Sequence, residues 1–478
     1  DLVSFAPHIP AGRVVPGDLA VHTSGDLLLT AHIEGGGGAL TGGKALDREQ
    51  SALCVLARLQ TSGAVLWTRG VPCPRNGFAP LVATDDDGRV YVSVDTGNAE
   101  PPVRLDNLPD AAPEDARIAS RLHALEADGE HLWSVALSDE PSTTSRIYPR
   151  AIEATSHGDI AVAGTFRGVA RLDDERLESR GKLDAWMARV SAEGSIESAR
   201  TFGSAGHDAI TTVSPTTDGG VVVGGYIGGV LSETSLESLP AAKSAFVARF
   251  AADGNPTWSA AWGHEHSGAS ISELEVSADG RVAIMGVANG PVDFGDGPLF
   301  SRHGSYRAFA GVLTADGTPI WMRGFEGDAN SAGDVVLRPD GTLQASISVD
   351  QTTDNQFVDH VAYGDVELDN STGTDALLLR VSADDGALLA SQRLDATTSS
   401  SQVHAMKLVR DRGGNTVAVG RWTGDVVFGD AGASATPGRR EQVCDSSYGP
   451  AGGMDMAHEF GCHDATDSAT GLFVWRAE

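Results

Sequence analysis

Apolar and polar residues alternate along most of the chain in short runs, and glycine turns interrupt these runs at regular intervals. In Ala245 to Gly263, AFVARFAADGNPTWSAAWG, one alternating run leads into Asp253-Gly254 and a second follows, with Trp258 four residues after the glycine. Such alternation on both sides of an Asp-Gly turn is typical of a β-hairpin. Equivalent glycines, spaced 60 to 69 residues apart, predict a repeat architecture; they are Gly63, Gly129, Gly194, Gly254, Gly317 and Gly386.

A second series of glycine turns alternates with the first series along the chain. Each glycine of the second series also lies between two short β-prone runs; these glycines are Gly25, Gly88, Gly158, Gly219, Gly280, Gly341 and Gly414. One repeat is therefore two successive hairpins, with strands A, B, C and D. This pattern predicts an all-β fold, a single seven-bladed β-propeller of four-stranded antiparallel blades in one domain, residues 1–478.

The two ends of the chain supply complementary pieces of the last blade. Residues 1–9, DLVSFAPHI, precede the first A strand, and the chain ends at Glu478 where a final C strand should turn into D. We therefore expect the N-terminal strand to complete the last blade and close the ring, which leaves no free edge around the circle. The predicted blades are 17–74, 78–139, 147–203, 207–263, 269–327, 331–396, and 403–478 together with 1–9.

The connections of this plan fall on two faces. The A–B and C–D turns are uniformly tight and share one face, whereas the B–C and D–A connections share the other and hold the length variation. The long connections are Gly35 to Ser51, Gly97 to Arg117, Val349 to Thr374, and Thr423 to Thr470. Long loops on a rigid scaffold usually carry recognition, so we expect a ligand on this face or at the mouth of the central channel.

Four cysteines suggest two disulfides. Pairing around the turn at Ser62-Gly63 predicts that Cys54 and Cys73 lie directly opposite each other; two buried free thiols are the alternative. Cys444 and Cys462 flank a glycine-rich segment. They could form a disulfide with each other, or they could bind zinc together with His458 and His463.

Charge and motifs narrow the possible functions. Lys and Arg total 35 against 65 Asp and Glu, a net charge of −30 that disfavours nucleic acid as a partner. No apolar run is long enough for a transmembrane helix. No nucleophile elbow, Walker loop or dinucleotide fingerprint stands in a suitable context, so we expect no catalysis and no cofactor.

His264 and His266 form a weak candidate for a metal site. The alternative is that both are exposed loop residues without a ligand role.

Tryptophan recurs four residues after the C–D turn glycine. A large ring at a fixed position of a blade suits packing against an adjacent sheet, and a platform for stacking sugars is the alternative. The four residues at this position are Trp67, Trp133, Trp258 and Trp321.

The segments Leu183 to Gly229 and SAFVARFAADGNPTWSAAWG resemble the repeats of secreted bacterial seven-bladed propellers of the SBBP type, a WD-like architecture. GPVDFGDGPL (Gly290 to Leu299) and GDVVFGDAG (Gly424 to Gly432) resemble the VDFGG element of the myxobacterial-like versions. The resemblance implies an extracellular or outer cell surface location, with the periplasm as a further possibility. It says almost nothing about function, because the shared motifs are turn and packing residues.

Together these features predict an exported, non-catalytic binding or structural scaffold. Its partner would be a protein or a surface polysaccharide, within a larger surface assembly. The main alternative is a carbohydrate-binding or carbohydrate-active propeller, either a lectin or a glycoside hydrolase. A quinoprotein-like propeller is third, because ALEADGEHLW and ARLQTSGAVLW partly match the repeat of that class.

Overall fold

The computed structural model consists of β-strands and their connections, and the residues that it describes contain no helix. None of the described residues therefore belongs to an apolar helix that could cross a bilayer. The described residues are 2–3, 13–34, 52–60, 64–71, 80–95, 120–138, 146–172, 175–229, 244–263, 267–300, 306–326, 330–350, 361–363, 366–368, 374–396, 402–423, 426–428, 433–435, 442–444, 462–464 and 470–477.

Most strands form antiparallel sheets of four, which we number in chain order. Sheet 1 contains β2 (Arg13–Val21), β3 (Leu27–Glu34), β4 (Ala52–Leu59) and β5 (Val65–Val71). Sheet 2 contains β6 (Leu81–Thr84), β7 (Val90–Asp95), β8 (Ser120–Leu125) and β9 (His131–Ala136). Sheet 3 contains β10 (Arg146–Ala154), β11 (Ile160–Arg167), β14 (Asp184–Val190) and β15 (Ile196–Phe202). Sheet 4 contains β16 (Ala209–Pro215), β17 (Val221–Ile227), β18 (Ser244–Phe250) and β19 (Pro256–Trp262).

The second half of the chain continues the pattern. Sheet 5 contains β20 (Ala269–Val276), β21 (Val282–Ala288), β22 (Arg307–Leu313) and β23 (Pro319–Glu326). Sheet 6 contains β24 (Asn330–Leu337), β25 (Thr342–Asp350), β28 (Thr374–Ser382) and β29 (Leu388–Ala396). Sheet 7 contains β30 (Gln402–Arg410), β31 (Thr416–Thr423), β36 (Thr470–Ala477) and β1 (Leu2–Val3), where Leu2 is opposite Trp475.

Short hairpins are inserted between second and third strands. They are β12 (Val169–Leu172) with β13 (Glu175–Glu178), β26 (Val361–Tyr363) with β27 (Val366–Leu368), β32 (Val426–Phe428) with β33 (Ala433–Ala435), and β34 (Gln442–Cys444) with β35 (Cys462–Asp464). Two of them extend the preceding sheet, because β26 pairs with the last strand of sheet 5 and β32 with the last strand of sheet 6.

The first strands of successive sheets lie side by side, and β30 of sheet 7 also lies beside β2 of sheet 1. We call the space between these first strands the central channel. Apolar side chains fill the gaps between neighbouring sheets; for example, Ala161 and Ala163 of sheet 3 pack with Val221 and Val223 of sheet 4. The all-β architecture of antiparallel four-stranded sheets is consistent with a propeller. Sheet 1 begins at Arg13, four residues before the predicted Gly17.

Glycine occupies the turns for a conformational reason. The described turn glycines of both series have φ between 71° and 90°, a region that favours glycine over other residues. Gly63, which belongs to the first series, lies outside the described residues.

In four sheets a tryptophan follows the C–D turn and bonds to the next sheet. Its indole Nε1 donates to a carbonyl in the next sheet's third-to-fourth-strand turn, an arrangement that we call the tryptophan latch. The bonds are Trp67 to Ala127 (3.1 Å), Trp133 to Ala192 (2.9 Å), Trp258 to Ala315 (2.8 Å) and Trp321 to Ala383 (2.9 Å). The rings of Trp133, Trp258 and Trp321 also cover the glycine of that turn.

The VDFGG-like segment between β21 and β22 packs against the preceding sheet. The ring of Phe294 lies 5.0 Å from that of Trp262 at the end of sheet 4. Tyr363, in the inserted hairpin of sheet 6, lies 5.1 Å from Phe325 at the end of sheet 5. Both aromatic pairs therefore join neighbouring sheets.

The predicted opposition of Cys54 and Cys73 is wrong. Cys54 is fully buried and lies opposite Val71, two residues earlier than predicted. The numbers of paired residues sum to 124 at Leu59 and Val65, whereas Cys54 opposite Cys73 requires a sum of 127, so the connection between the strands is shorter than expected. A bulge at Leu66 then raises the sum to 125, which places Val71 opposite Cys54. Cys73 lies outside the described residues.

Candidate functional site

Six charged side chains from five first strands lie around the central channel. Five are carboxylates and one is an amine; we call the set the channel cluster. Its members are Asp18 on β2, Glu153 on β10, Glu273 and Glu275 on β20, Asp334 on β24 and Lys407 on β30.

Bulges in the first strands place several of these side chains. The strand register shifts between Pro16 and Leu19, between Ile271 and Glu273, between Ala332 and Val335, and between Ala405 and Lys407. A bulge interrupts the alternation of faces and re-aims a side chain. Charged residues can therefore face the channel from strands whose neighbouring residues belong to the apolar core.

Lys407 connects three sheets across the channel. Its Nζ lies 2.6 Å from Glu273 Oε1 of sheet 5 and 4.0 Å from Asp18 Oδ1 of sheet 1. Burial opposes the charge of this amine, but attraction from Glu273, Asp334 and Asp18 outweighs burial and raises the pKa of Lys407. Lys407 therefore remains a cation at any physiological pH.

Asp18 and Asp334 play the same part in two sheets. In each residue, one carboxylate oxygen accepts a hydrogen bond from the backbone N–H of the next residue in the chain. The other oxygen accepts from a backbone N–H of the following sheet: that of Val82 at 3.0 Å for Asp18, and that of Leu408 at 2.9 Å for Asp334. Burial raises the pKa of Asp334 against the attraction of Lys407. These two carboxylates join neighbouring first strands and are already fully engaged.

Glu275 joins sheets 5 and 6. Its carboxylate accepts from the Leu337 N–H and lies 3.6 Å from the Arg410 guanidinium. Burial raises the pKa of Glu275 to about 7, although the charge of Arg410 acts in the opposite direction. Burial likewise raises the pKa of Glu273 to about 7, with Lys407 opposing it.

Glu153 differs from the rest of the cluster. Among the described residues it makes no hydrogen bond or ion pair, and its side chain is open to water within the channel. Its enclosed position, followed by the negative charge of Asp18, raises the pKa of Glu153 to about 8. Lys407 opposes this rise, while Glu273 and Glu275 add to it. The pKa of Glu153 therefore lies above that of an ordinary glutamate.

Most residues predicted as metal ligands or disulfide partners lie outside the described part. His264, His266 and His458 lie outside the described residues, and only the backbone of His463 is described. Cys444 and Cys462 are opposite one another in the ribbon of β34 and β35, and their side chains are not described. Within the described ranges, no three His, Cys, Asp or Glu side chains are grouped to hold a metal ion.

The long loops predicted to carry recognition are also largely outside the described residues. Those segments include 35–51, 96–119, 351–360 and 445–461. The site found in the described part is therefore the channel cluster.

The channel cluster was missed in the sequence, although a positional signal exists. Asp18, Glu273, Asp334 and Lys407 each stand seven residues before an A–B turn glycine, and Glu153 and Glu275 stand five residues before one. Charged residues recurring at one place in otherwise apolar strands could have been found by aligning the repeats. Such an alignment could not have shown that these side chains meet in one space.

No protein-family model matches this chain, and no curated protein matches it significantly. Solved structures of similar shape include an ulvan lyase of polysaccharide lyase family PL25, at 10% identity and a TM-score of 0.46, with 88% of this chain and 93% of that chain covered. YCF48 bound to a D1 peptide is similar at 11% identity and a TM-score of 0.35, covering 87% of this chain and 95% of that one. The NanB sialidase of Streptococcus pneumoniae is similar at 10% identity and a TM-score of 0.36, and the match covers 88% of this chain and 66% of that chain.

Proposed function

We propose that this chain is a seven-bladed β-propeller of the secreted SBBP type, and that it is a non-catalytic binding scaffold at a bacterial cell surface. The cyclic order of first strands supports the ring, and the pairing of β1 with β36 supports its closure by the N-terminal strand. Removing residues 1–9 tests this closure, because β36 would lose its outer partner and the protein should unfold at a lower temperature.

One observation carries the functional proposal: buried or half-buried arginines on the tight-turn face already bond to neighbouring turns of their own and adjacent sheets. Arg58 binds Asp26 and the Ala127 carbonyl, and Arg189 binds Asp159 and the Gly219 carbonyl. These two arginines are therefore already engaged, and the turns around them are short, which directs a partner to the loop face or to the channel.

Capture of a partner from the native cell envelope tests this proposal. Variants with residues 97–117 or 445–461 replaced by short Gly-Ser linkers should lose the partner. Glu193→Gln, an exposed change on the tight-turn face, should retain it. Equal capture by all three variants would contradict recognition on the loop face.

A carbohydrate-active propeller is the second candidate, and the raised pKa of Glu153 favours it. A glycosidase needs a carboxyl group that keeps its proton near neutral pH, as a general acid does. The shape similarities above do not add to this argument. A glycan array should show binding that is lost in the loop variants, and hydrolysis that disappears in Glu153→Gln would replace the scaffold proposal with this one.

The disulfides remain part of the proposal. The opposed backbones of Cys444 and Cys462 suit a covalent link across their ribbon. Mass spectrometry of a non-reduced digest should find Cys54 linked to Cys73 and Cys444 linked to Cys462. Zinc retained by the purified protein would instead favour the histidine and cysteine site.

A further inference from the structure

One aromatic residue is exposed on the loop face of the described structure. Among the Phe, Tyr and Trp residues whose side chains are described, Tyr306 alone is exposed, at 51%. It directly precedes β22, at the end of the connection between the second and third strands of sheet 5. The tryptophan latches, in contrast, bond to neighbouring sheets. Tyr306 therefore presents a ring to solvent on the face where the loops lie.

Two other connections of sheet 5 meet the hydroxyl end of this ring. The Tyr306 hydroxyl and both polar side-chain atoms of Asn289 lie within 3.7 Å of the point where a Cβ of Gly268 would stand. Gly268 directly precedes β20, and Asn289 directly follows β21. The ring is thus placed beside a carboxamide group by three separate strand ends of one sheet.

The side chain of Asn289 is held in one orientation by Gly268. Its Oδ1 accepts the Gly268 N–H at 2.5 Å, and its own backbone N–H donates to the Gly268 carbonyl at 3.0 Å. Because the oxygen already accepts this bond, Nδ2 and its two protons are the donors that the group can offer to a ligand. A donor that is fixed before binding loses little entropy when it bonds.

The repeat does not account for Tyr306. Counted along the third strand, the same place is occupied by Leu183 in sheet 3 and by Thr374 in sheet 6. A residue that every blade needs for packing should recur, as the latch tryptophan does in four sheets. The tyrosine and its exposure are therefore particular to sheet 5 among these three sheets.

The chemistry of these groups favours a neutral ligand that is rich in hydroxyl groups. An aromatic face can cover the C–H face of a sugar ring, and amide protons can be donated to sugar hydroxyls. The net charge of −30 disfavours polyanions, such as chains of uronic acids or sulfated sugars. The neighbouring cation, Arg307, lies over the buried ring of Phe300, with its guanidinium carbon 5.6 Å from the ring centroid.

We propose that Tyr306 and Asn289 form a subsite for a neutral sugar unit of a polysaccharide. The sugar stacks on the tyrosine ring, and one of its hydroxyls accepts a hydrogen bond from Asn289 Nδ2. This inference rests on the proposed function, because it requires recognition on the loop face, and it names the class of ligand there.

A glycan array, followed by calorimetric titration of the neutral oligosaccharide that binds best, tests the subsite. Tyr306→Ala should weaken binding roughly tenfold, and Tyr306→Phe, which keeps the ring, should bind within about threefold of the wild type. Leu389→Ala is the matched control, because Leu389 is a comparably exposed apolar residue, at 53%, on the last strand of sheet 6. This control should bind as the wild type does.

Asn289→Asp tests the hydrogen bond separately from the stacking. The aspartate can still accept the Gly268 N–H, but its carboxylate has no proton to donate to a sugar. Binding of the neutral oligosaccharide should therefore fall roughly fivefold. The thermal unfolding temperature should stay near that of the wild type, which shows that the turn is intact.

Several results would overturn the proposal. They are the absence of glycan binding by the wild type, a preference of the wild type for uronic-acid or sulfated glycans, and unchanged sugar binding in Tyr306→Ala. Loss of an envelope protein from Tyr306→Ala without any glycan binding would make the ring a protein contact instead. If the 97–117 or 445–461 replacement loses the partner while Tyr306→Ala binds sugar normally, recognition on the loop face stands and only this subsite fails.

Discussion

At the scale of single residues, most charged side chains of the channel cluster hold neighbouring sheets together, whereas one of them has no such bond. Asp18, Asp334 and Glu275 accept backbone N–H groups from neighbouring sheets, and Lys407 is held between carboxylates. Glu153 has no comparable bond among the described residues. Substitutions of these residues should therefore have unequal effects, which depend on what each side chain leaves behind.

Lys407→Met should destabilise the fold, because Glu273 and Asp18 would lose their shared cation. We expect the free energy of unfolding in urea to fall by about 3 kcal/mol, as for other ion pairs that are largely buried. Lys182→Met is the control, since Lys182 is exposed, and it should change the free energy of unfolding by less than about 0.5 kcal/mol. Equal effects of the two substitutions would contradict the bridging role of Lys407.

At the scale of secondary-structure elements, the glycine turns and the tryptophans act together. A turn glycine with positive φ permits the tight hairpin, and the ring from the preceding sheet covers that same glycine. The sequence period therefore reflects contact between adjacent repeats as well as folding within each repeat. Two substitutions can separate the conformational requirement of the turn from the contact with the ring.

Gly317→Ala should cost more stability than Gly25→Ala. Both glycines have positive φ, 85° and 90°, so alanine strains the backbone by roughly 1–2 kcal/mol at either position. At Gly317 the added Cβ would also lie 2.6 Å from the Trp258 ring, whereas at Gly25 nothing lies within 4 Å. Thermal unfolding of the two variants measures the difference. A Gly25→Ala variant that is as unstable as Gly317→Ala would show that the ring contact is unimportant.

Trp321→Phe should cost about 1 kcal/mol through the lost hydrogen bond to the Ala383 carbonyl, in addition to any loss of packing. Trp186→Phe is the matched control, because Trp186 is fully buried but its Nε1 has no partner among the described residues. Urea unfolding compares the two variants. If Trp186→Phe proved the more damaging change, the latch bond would not stabilise the contact between sheets.

At the scale of the whole molecule, an excess of enclosed carboxyl groups makes stability depend on pH. Glu153, Glu273 and Glu275 have pKa values raised to about 8, 7 and 7 in the folded protein. Between about pH 4.5 and pH 8 the folded state therefore binds more protons than the unfolded state. Stability must fall as pH rises through that window, which is the reverse of the usual behaviour of an ion-paired carboxylate.

We expect the free energy of unfolding to decrease by on the order of 2 kcal/mol between about pH 5 and about pH 8.5. Urea titrations across this range measure the decrease. Glu275→Gln should flatten the curve, because one of the titrating groups is removed. A flat or rising curve for the wild type would mean that water in the channel cancels the effect of burial on these groups.

Much of the local architecture was predictable because it depends on neighbours in sequence. Period-two alternation and turn glycines define hairpins within about twenty residues, so the all-β class and the approximate bounds of the sheets followed from the pattern. The register of one hairpin did not, since the connection after Leu59 is shorter than the one that would place Cys73 opposite Cys54. The exact length of a turn is not determined by the alternation of the strands on either side of it.

The sequence by itself determined the strands, their turns and the repeat that spaces them, because those features arise from backbone conformation and local burial. Only the tertiary structure decided which charges meet. Lys407 and Glu273 are 134 residues apart, and nothing in either strand indicates the other. Their pairing depends on how the sheets are arranged around the channel, and the raised pKa values follow from that enclosure rather than from the residues themselves.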